Sequence, residues 1–273
     1  MTFLAAEIAH LGTPIELYQF NYAGVSSYYY TSSDENITVG ALEYVAKAIK
    51  RAGIEYTADL GKASLEIKAQ LDLPVAELFK AGVPSGVVSV TIYRKHRTDN
   101  ETAVIWKGRV LNVDWSQTEV TLVCEPIRTS LQSFGLRRNF QRQCPHVLYG
   151  ADCKVSNTTF MASGPVSSFT TNTMTLPAAV YGLDNRFAGG YAQWTNPITN
   201  AQERRAILSS VGSTGLLTLL GAQTGLASGI IVSVFPGCDK SISTCQTKFG
   251  NENNYGGFPH TPTKNPFDGT PIY

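Results

Sequence analysis

Alternation of apolar and polar residues is the dominant pattern of the first 126 residues. Ile15–Phe20 and Leu65–Leu71 alternate at every second position, which is typical of strands with one buried face. Val87–Arg94 is rich in β-branched residues, and two similar stretches follow it, Ala103–Asp114 and Glu119–Cys124. Together these last three stretches predict a meander of antiparallel strands.

Two short helices are expected within this strand-rich part. In Val39–Arg51 the apolar residues that would share one helical face are Ala41, Val45, Ala48 and Ile49. Pro74 favours the first turn of a second helix over Val75–Ala81, which Gly82 would end. We therefore expect an α+β fold that is mostly antiparallel β-sheet.

The pattern changes after residue 126. Residues 127–143 are basic and compatible with a helix, and Thr, Ser, Gly and Asn dominate residues 156–236. Four β-like runs in this second part predict a small β-barrel or sandwich: Phe187–Thr195, Arg204–Ser209, Leu216–Leu220 and Ile230–Phe235. We expect an N-terminal β-rich domain over residues 1–126 and a basic helical connector with the first cysteine pair over 127–155. A C-terminal β domain with the second pair and an extended tail would cover 156–273.

Composition limits the classes of function. Charged residues make up 16% of the chain and hydrophobic residues 43%, which favours a folded protein over a disordered one. The net charge of +1 indicates no general affinity for nucleic acid or for anionic membranes. The first 20 residues lack the pattern of a signal peptide, and no apolar run is long enough for a membrane-spanning helix. We therefore expect folding in a reducing cytosol, where disulfides are disfavoured.

Four of the five cysteines form two local pairs, Cys144-x8-Cys153 and Cys238-x6-Cys245, with 84 residues between the pairs. Four thiolates suit either one Zn²⁺ ion or one [4Fe–4S] cluster. Zinc ribbons use the tight C-x2-C spacing, so spacings of eight and six favour the larger cluster. Basic residues that would stabilise thiolates lie close by in sequence, at Arg137, Arg138, Arg142, Lys154 and Lys240. Such a site would join the two ends of residues 154–237, so that binding of the metal contributes directly to folding.

Other interpretations of the cysteines stay open from the residues alone. Two structural disulfides, in any of three pairings, fit the same count, as do a zinc site and unligated core thiols. Cys124 lies in the alternating stretch Val120–Cys124 and is expected to be an ordinary buried thiol. His146, two residues after Cys144, is either a hydrogen-bond donor behind the metal ligands or a solvated loop residue.

The C-terminal third contains a recognisable block of motifs. It reads Pro236-Gly-Cys-Asp-Lys240, Thr244-Cys245, Phe249-Gly-Asn251 and Asn254-Tyr-Gly-Gly-Phe-Pro259. This block resembles the tail tip protein L family of lambda-like siphophages and the related hub proteins of other long-tailed phages and gene transfer agents. Further matching positions are Cys144-Pro, Tyr149-Gly, Cys153, Gly189-Gly190, Trp194, Arg205 and Ile207.

The resemblance implies a structural virion protein of the tail tip, made in the host cytoplasm. It implies a ring, with a homotrimer expected, between the distal tail-tube ring and the central receptor-binding fibre protein. The tape-measure protein is a further candidate neighbour. The resemblance also implies that Cys144, Cys153, Cys238 and Cys245 are the ligands of a [4Fe–4S] cluster, with Zn²⁺ as the alternative. The contacts of the C-terminal tail, from Thr263 to Phe267, cannot be carried over from the family because this stretch departs from the family pattern.

No motif indicates catalysis. The histidines, which form no H-x3-H or H-E-x-x-H pattern, are His10, His96, His146 and His260. A tail-associated cell-wall hydrolase would need a Cys–His–His arrangement with its nucleophile at the start of a helix. A redox or cluster-carrier protein would hold its cluster near the surface. We expect a structural protein that is not an enzyme.

Overall fold

The computed structural model describes residues 14–55, 64–97, 101–132, 135, 140–177, 182 and 184–262. Within these residues the chain is mostly antiparallel β-sheet with a few short helices, which confirms the predicted fold class. The chain divides into two compact units, unit 1 (Met1–Ser133 with Thr195–Glu203) and unit 2 (Phe134–Trp194 with Arg204–Tyr273). Among the helices of the described ranges, none has the length and apolar character needed to cross a membrane.

The described part of unit 1 contains one sheet of nine strands. In chain order these are β1 (Pro14–Tyr22), β2 (Ser26–Thr31), β3 (Ile37–Val39), β4 (Leu42–Ala46), β5 (Ile49–Arg51), β6 (Leu65–Ala69), β7 (Val88–His96), β8 (Thr102–Trp115) and β9 (Val120–Pro126). Their spatial order is β3-β4-β2-β1-β7-β8-β9-β6-β5. Strands β7, β8 and β9 are neighbours and antiparallel, which confirms the predicted meander.

The helix predicted over Val39–Arg51 is wrong. The segment instead completes β3 and forms β4 and β5. Gly40, with a φ of +62°, allows the tight turn that pairs Val39 with Leu42. Strand β5 then pairs with β6, the next described strand of the chain. These cross-strand hydrogen bonds outweigh a weak helical periodicity because strand formation depends on the neighbouring strands.

The other predicted helices of this part are shorter than expected. Helix α1 covers only Pro74–Glu77, and turns then lead to Gly82, whose φ is +108°. The connector begins with a 3₁₀ helix over Ile127–Gln132, and residues 140–143 are not helical. Residues 133, 134 and 136–139 lie outside the described residues, and so do Arg137 and Arg138.

A buried polar group anchors the segment Thr195–Glu203 within unit 1. The Glu203 side chain, 2% exposed, accepts hydrogen bonds from Tyr22 Oη at 2.7 Å and from Ser85 Oγ at 2.8 Å. The Ser26 hydroxyl also donates to the carbonyl oxygen of Thr199 at 2.5 Å. The segment is therefore held in unit 1 although the strands on either side of it belong to unit 2.

The described part of unit 2 contains one sheet of seven strands. These are β10 (Ala162–Pro165), β11 (Ser168–Phe169), β12 (Thr173–Thr175), β13 (Tyr191–Thr195), β14 (Gln202–Val211), β15 (Leu216–Leu219) and β16 (Ile231–Phe235), in the spatial order β10-β16-β13-β14-β15-β12-β11. The four predicted runs are confirmed as strands, although the first becomes a strand only at Tyr191. Two helices, α2 (Asn157–Phe160) and α3 (Ile242–Phe249), and a 3₁₀ turn at Glu252–Asn254 complete the unit.

Candidate functional site

All four cysteines of the two pairs line one small cavity in unit 2. The cavity is small: the space open to the centre of a water-sized sphere is about 20 Å³. Cys153 and Cys245 are buried, while Cys144 and Cys238 are half-buried. The chain's five cysteines all lie within the described residues, and none forms a disulfide. The fifth, Cys124, is fully buried in β9 of unit 1, as the sequence predicted.

A close backbone approach places Cys238 at the end of β16. A Cβ atom on Gly237 would lie 2.1 Å from the carbonyl carbon of Gly189 and 2.4 Å from the carbonyl oxygen of Ala188. Only glycine fits there because both neighbours are backbone atoms that cannot rotate away. The turn before β13 therefore packs directly against the residue that precedes Cys238.

Helix α3 positions the fourth cysteine. Ser241 caps the helix, since its Oγ accepts a hydrogen bond from the Thr244 backbone N–H at 3.1 Å. Cys245 and Phe249 are one turn apart and are both buried. Gly250 ends the helix in the left-handed conformation, with a φ of +59°. The same face of α3 therefore presents one thiol and one aromatic ring to the cavity.

Lys240 connects the two cysteine pairs. Its carbonyl oxygen accepts a hydrogen bond from the Cys144 backbone N–H at 3.0 Å and another from Tyr255 Oη at 3.1 Å. Its own backbone N–H lies 3.4 Å from Cys238 Sγ, in position to donate to the sulfur. Its side-chain ammonium donates to the carbonyl oxygen of His146. The left-handed φ of +67° at Lys240 makes these contacts possible together.

Two further residues, Tyr149 and Asn251, support the first cysteine pair. The ring of Tyr149 contacts those of Phe235 and Phe249 edge-on, and its hydroxyl donates to the carbonyl oxygen of Pro236 at 2.7 Å. The side-chain amide of Asn251 donates to the carbonyl oxygen of Cys153 at 2.6 Å. Neither role was predicted, although Phe249-Gly-Asn251 belongs to the block that carried the family resemblance.

His146 is half-buried and lines the cavity. Its Nδ1 lies 3.1 Å from the carbonyl oxygen of Asn254. A Cβ atom on Gly256 would come within 2.3 Å of Nε2, so the glycine gives the ring its space. A role for His146 as a donor behind the metal ligands stays a prediction.

The four thiols are electrostatically coupled. Burial raises the pKa of Cys238, against the opposing effect of the Lys240 backbone N–H. Burial also raises the pKa of Cys245, and the neighbouring thiols of the cavity raise it further. Ionising Cys238 and Cys245 would therefore be unfavourable without a cation beside them.

The basic residues near the cavity are not the full set that the sequence predicted. Lys240 reaches the cavity, whereas Arg142 and Lys154 are exposed. Lys248 was not predicted, and its ammonium donates to the carbonyl oxygen of Gly237 at 2.8 Å. Burial lowers the pKa of Lys248, while the Cys238 thiol acts in the opposite direction. A positive charge is thus held beside the turn that carries Cys238.

The cavity brings together four thiols from two separate segments of the chain. Within the described ranges, no three His, Cys, Asp or Glu side chains are grouped so that they could hold a metal ion. A single Zn²⁺ ion needs every ligand sulfur about 2.3 Å from the metal, hence the sulfurs within about 4 Å of one another. In a [4Fe–4S] cluster each thiolate binds a different iron atom, so the sulfurs lie farther apart. By the chemistry of their sulfur atoms, four thiols suit either group.

Comparison with known proteins identifies a relative and chains of solved structures, among them the two described here. An uncharacterised protein of Xylella fastidiosa (strain 9a5c) is 28% identical over 174 residues, which are 58% of this chain and 35% of that protein. The chain thus spans about a third of that relative's length. A chain in a structure of the virion of a native gene transfer agent (GTA) particle superposes with a TM-score of 0.77 at 18% identity. The superposition covers 98% of this chain and 99% of that one, and it shows that the two share a fold.

Two family models match different parts of the chain. Residues 185–265, which include Cys238 and Cys245, match "Phage conserved hypothetical protein BR0599". Residues 4–156, which include Cys144 and Cys153, match "Baseplate hub protein, N-terminal attachment domain". This second match covers more than half of the chain, so the protein belongs to the family of phage baseplate hub proteins with this attachment domain and is a structural protein of the virion tail.

Proposed function

We propose that the chain is a hub subunit at the tip of a long, non-contractile phage tail, where four cysteines hold a structural [4Fe–4S] cluster. The ligands would be Cys144, Cys153, Cys238 and Cys245. The hub would form a homotrimer between the distal tail-tube ring and the central receptor-binding fibre. The observation that carries the cluster is the meeting of all four thiols around one cavity.

The chemistry of the cavity supports this assignment. Four thiols and no carboxylate line it, and thiolates are the ligands that iron–sulfur clusters require. Their mutual repulsion on ionisation would be relieved by the iron atoms. The ammonium groups of Lys240 and Lys248 lie close enough to offset the negative charge of a thiolate-ligated cluster.

The cluster would act as a staple for unit 2. It would supply four iron–thiolate bonds that join two segments separated by 84 residues. In the chain-entropy model, a covalent link that closes a loop of this length stabilises the folded state by roughly 4–5 kcal/mol. This restriction of the unfolded chain would give the cluster a structural role that needs no electron transfer.

A catalytic role is less well supported by the same residues. A cysteine nucleophile needs a lowered pKa, whereas burial raises the pKa of both Cys238 and Cys245. Cys245 also lies in the body of α3 and not at its first residue. We therefore propose a structural subunit without turnover on cell-wall peptidoglycan.

Anaerobic purification followed by iron, sulfide and zinc analysis tests the proposal. We expect a brown protein with about four irons and four sulfides per chain, and a visible absorption band from thiolate-to-iron charge transfer. Serine at any of the four positions should abolish iron binding and destabilise unit 2. Cys124→Ser is the matched control, because that thiol is buried in β9 and should be dispensable for iron.

The outcomes separate the alternatives. A colourless protein with one zinc per chain would replace the cluster by a zinc staple. Equal iron content and stability in all five serine variants would refute the ligand set. Light scattering of the purified protein tests the homotrimer, and a monomer at every concentration would contradict it. Peptidoglycan cleavage by the wild-type protein would restore the hydrolase alternative.

A further inference from the structure

Asn251 contacts one cysteine of each pair. Its backbone N–H donates to the carbonyl oxygen of Cys245 at 3.0 Å, and its own carbonyl oxygen accepts from the Cys245 thiol at 3.3 Å. Its side-chain Nδ2 donates to the carbonyl oxygen of Cys153 at 2.6 Å and lies 3.8 Å from Cys153 Sγ. Asn251 therefore ties Cys245 to Cys153, a residue 98 positions before Asn251 in the chain.

The orientation of the Asn251 amide follows from its other neighbour. Asn254 Nδ2 donates to Asn251 Oδ1 at 2.7 Å, so the oxygen faces Asn254 and the NH₂ group faces Cys153. An NH₂ group has two N–H bonds. One is used by the carbonyl oxygen of Cys153, and the other remains to point toward the sulfur. The carbonyl oxygen of Asn254 in turn contacts Nδ1 of His146, two residues after Cys144, so the contacts extend toward the first cysteine pair.

We infer that Asn251 is a positioning residue for the cluster: it holds Cys153 against Cys245 and donates a hydrogen bond to the Cys153 sulfur. The inference rests on the proposed function. A hydrogen bond to a ligand sulfur draws negative charge from the cluster, so it stabilises the reduced state and raises the reduction potential. A residue that only filled space would leave that potential unchanged.

Substitution of Asn251 in the iron-loaded protein tests this role. Asn251→Ala removes both N–H donors without adding charge, and Asn251→Asp keeps the size of the side chain. The controls are Asn253→Ala and Asn253→Asp, because Asn253 is exposed two residues further on. The readouts are the midpoint potential in an anaerobic redox titration and the rate of iron loss to a chelator.

We expect a lower potential in both Asn251 variants than in the Asn253 control with the same substitution. Iron loss should be about 10–100-fold faster, as for other residues that support metal ligands. If Asn251→Ala does not fold, Asn251→Asp against Asn253→Asp decides the question. A wild-type potential in the Asn251 variants would refute the inference and leave the proposed function intact. A wild-type protein that holds no iron would refute both.

Discussion

Gly237→Ala tests the packing that places Cys238. The added Cβ would approach three backbone atoms at 2.1, 2.4 and 2.4 Å, which belong to Gly189, Ala188 and Gly190. Real Cβ contacts are essentially never shorter than 3.0 Å, so the end of β16 or the turn at Ala188–Gly190 must move by several tenths of an ångström. Gly182→Ala is the control within unit 2, because its nearest neighbour is the Arg186 Nη1 atom at 3.5 Å.

The expected cost follows from the kind of atom that is displaced. Overpacking against side chains costs roughly 1–3 kcal/mol, since side chains can adopt other rotamers. Backbone atoms have no rotamers to change, so we expect about 3 kcal/mol or more for Gly237→Ala. At roughly 2–4 °C per kcal/mol for a unit of this size, the midpoint of thermal unfolding should fall by about 6–12 °C. The shift of Cys238 should also reduce the iron content.

Differential scanning calorimetry under anaerobic conditions, with iron analysis of the same samples, measures both effects. Gly182→Ala should unfold within about 1–2 °C of the wild-type protein, as surface substitutions usually do. A Gly237→Ala protein with the wild-type midpoint and full iron content would refute the reasoning, because the backbone approach would then have no consequence.

Two further predictions concern unit 1. Tyr22→Phe removes a hydrogen bond to the buried Glu203 carboxylate and should lower the free energy of unfolding in urea by about 1.5–3 kcal/mol. The control Tyr93→Phe removes a hydrogen bond to the neutral Gln19 amide and should lower it by about 0.5–1.5 kcal/mol. Equal losses in the two variants would contradict the role of Glu203. Burial raises the pKa of the Cys124 thiol above its unfolded value, so its contribution to stability is complete below about pH 8.5 and is lost as the pH rises. Above that pH, the unfolding free energy of the wild-type protein should therefore fall relative to that of Cys124→Ala by about 1.4 kcal/mol per pH unit. A constant difference between the two proteins from pH 8 to pH 10.5 would count against a buried thiol.

Much of the strand content follows from local patterns. A strand with one buried face must alternate, and the alternation in Leu65–Leu71 and the β-branched run in Val87–Arg94 correspond to β6 and β7. The helix expected in Val39–Arg51 failed because a short segment carries too little periodicity to outweigh pairing with strands elsewhere in the chain. Local sequence therefore identifies long strands more reliably than short ones.

For the site, the sequence by itself predicted the candidate donor atoms: four thiols in two pairs whose spacing is too loose for a zinc ribbon. Only the tertiary structure decided that the four meet around one cavity, because that depends on how segments 84 residues apart pack. It alone also assigned the supporting contacts of Asn251, Tyr149 and Lys248. Hydrogen bonds such as that between Asn251 and Cys153 join residues 98 positions apart and require directed geometry within a few tenths of an ångström. No local pattern encodes such a distance, so the candidate ligands could be named from the sequence and the residues that hold them in place could not.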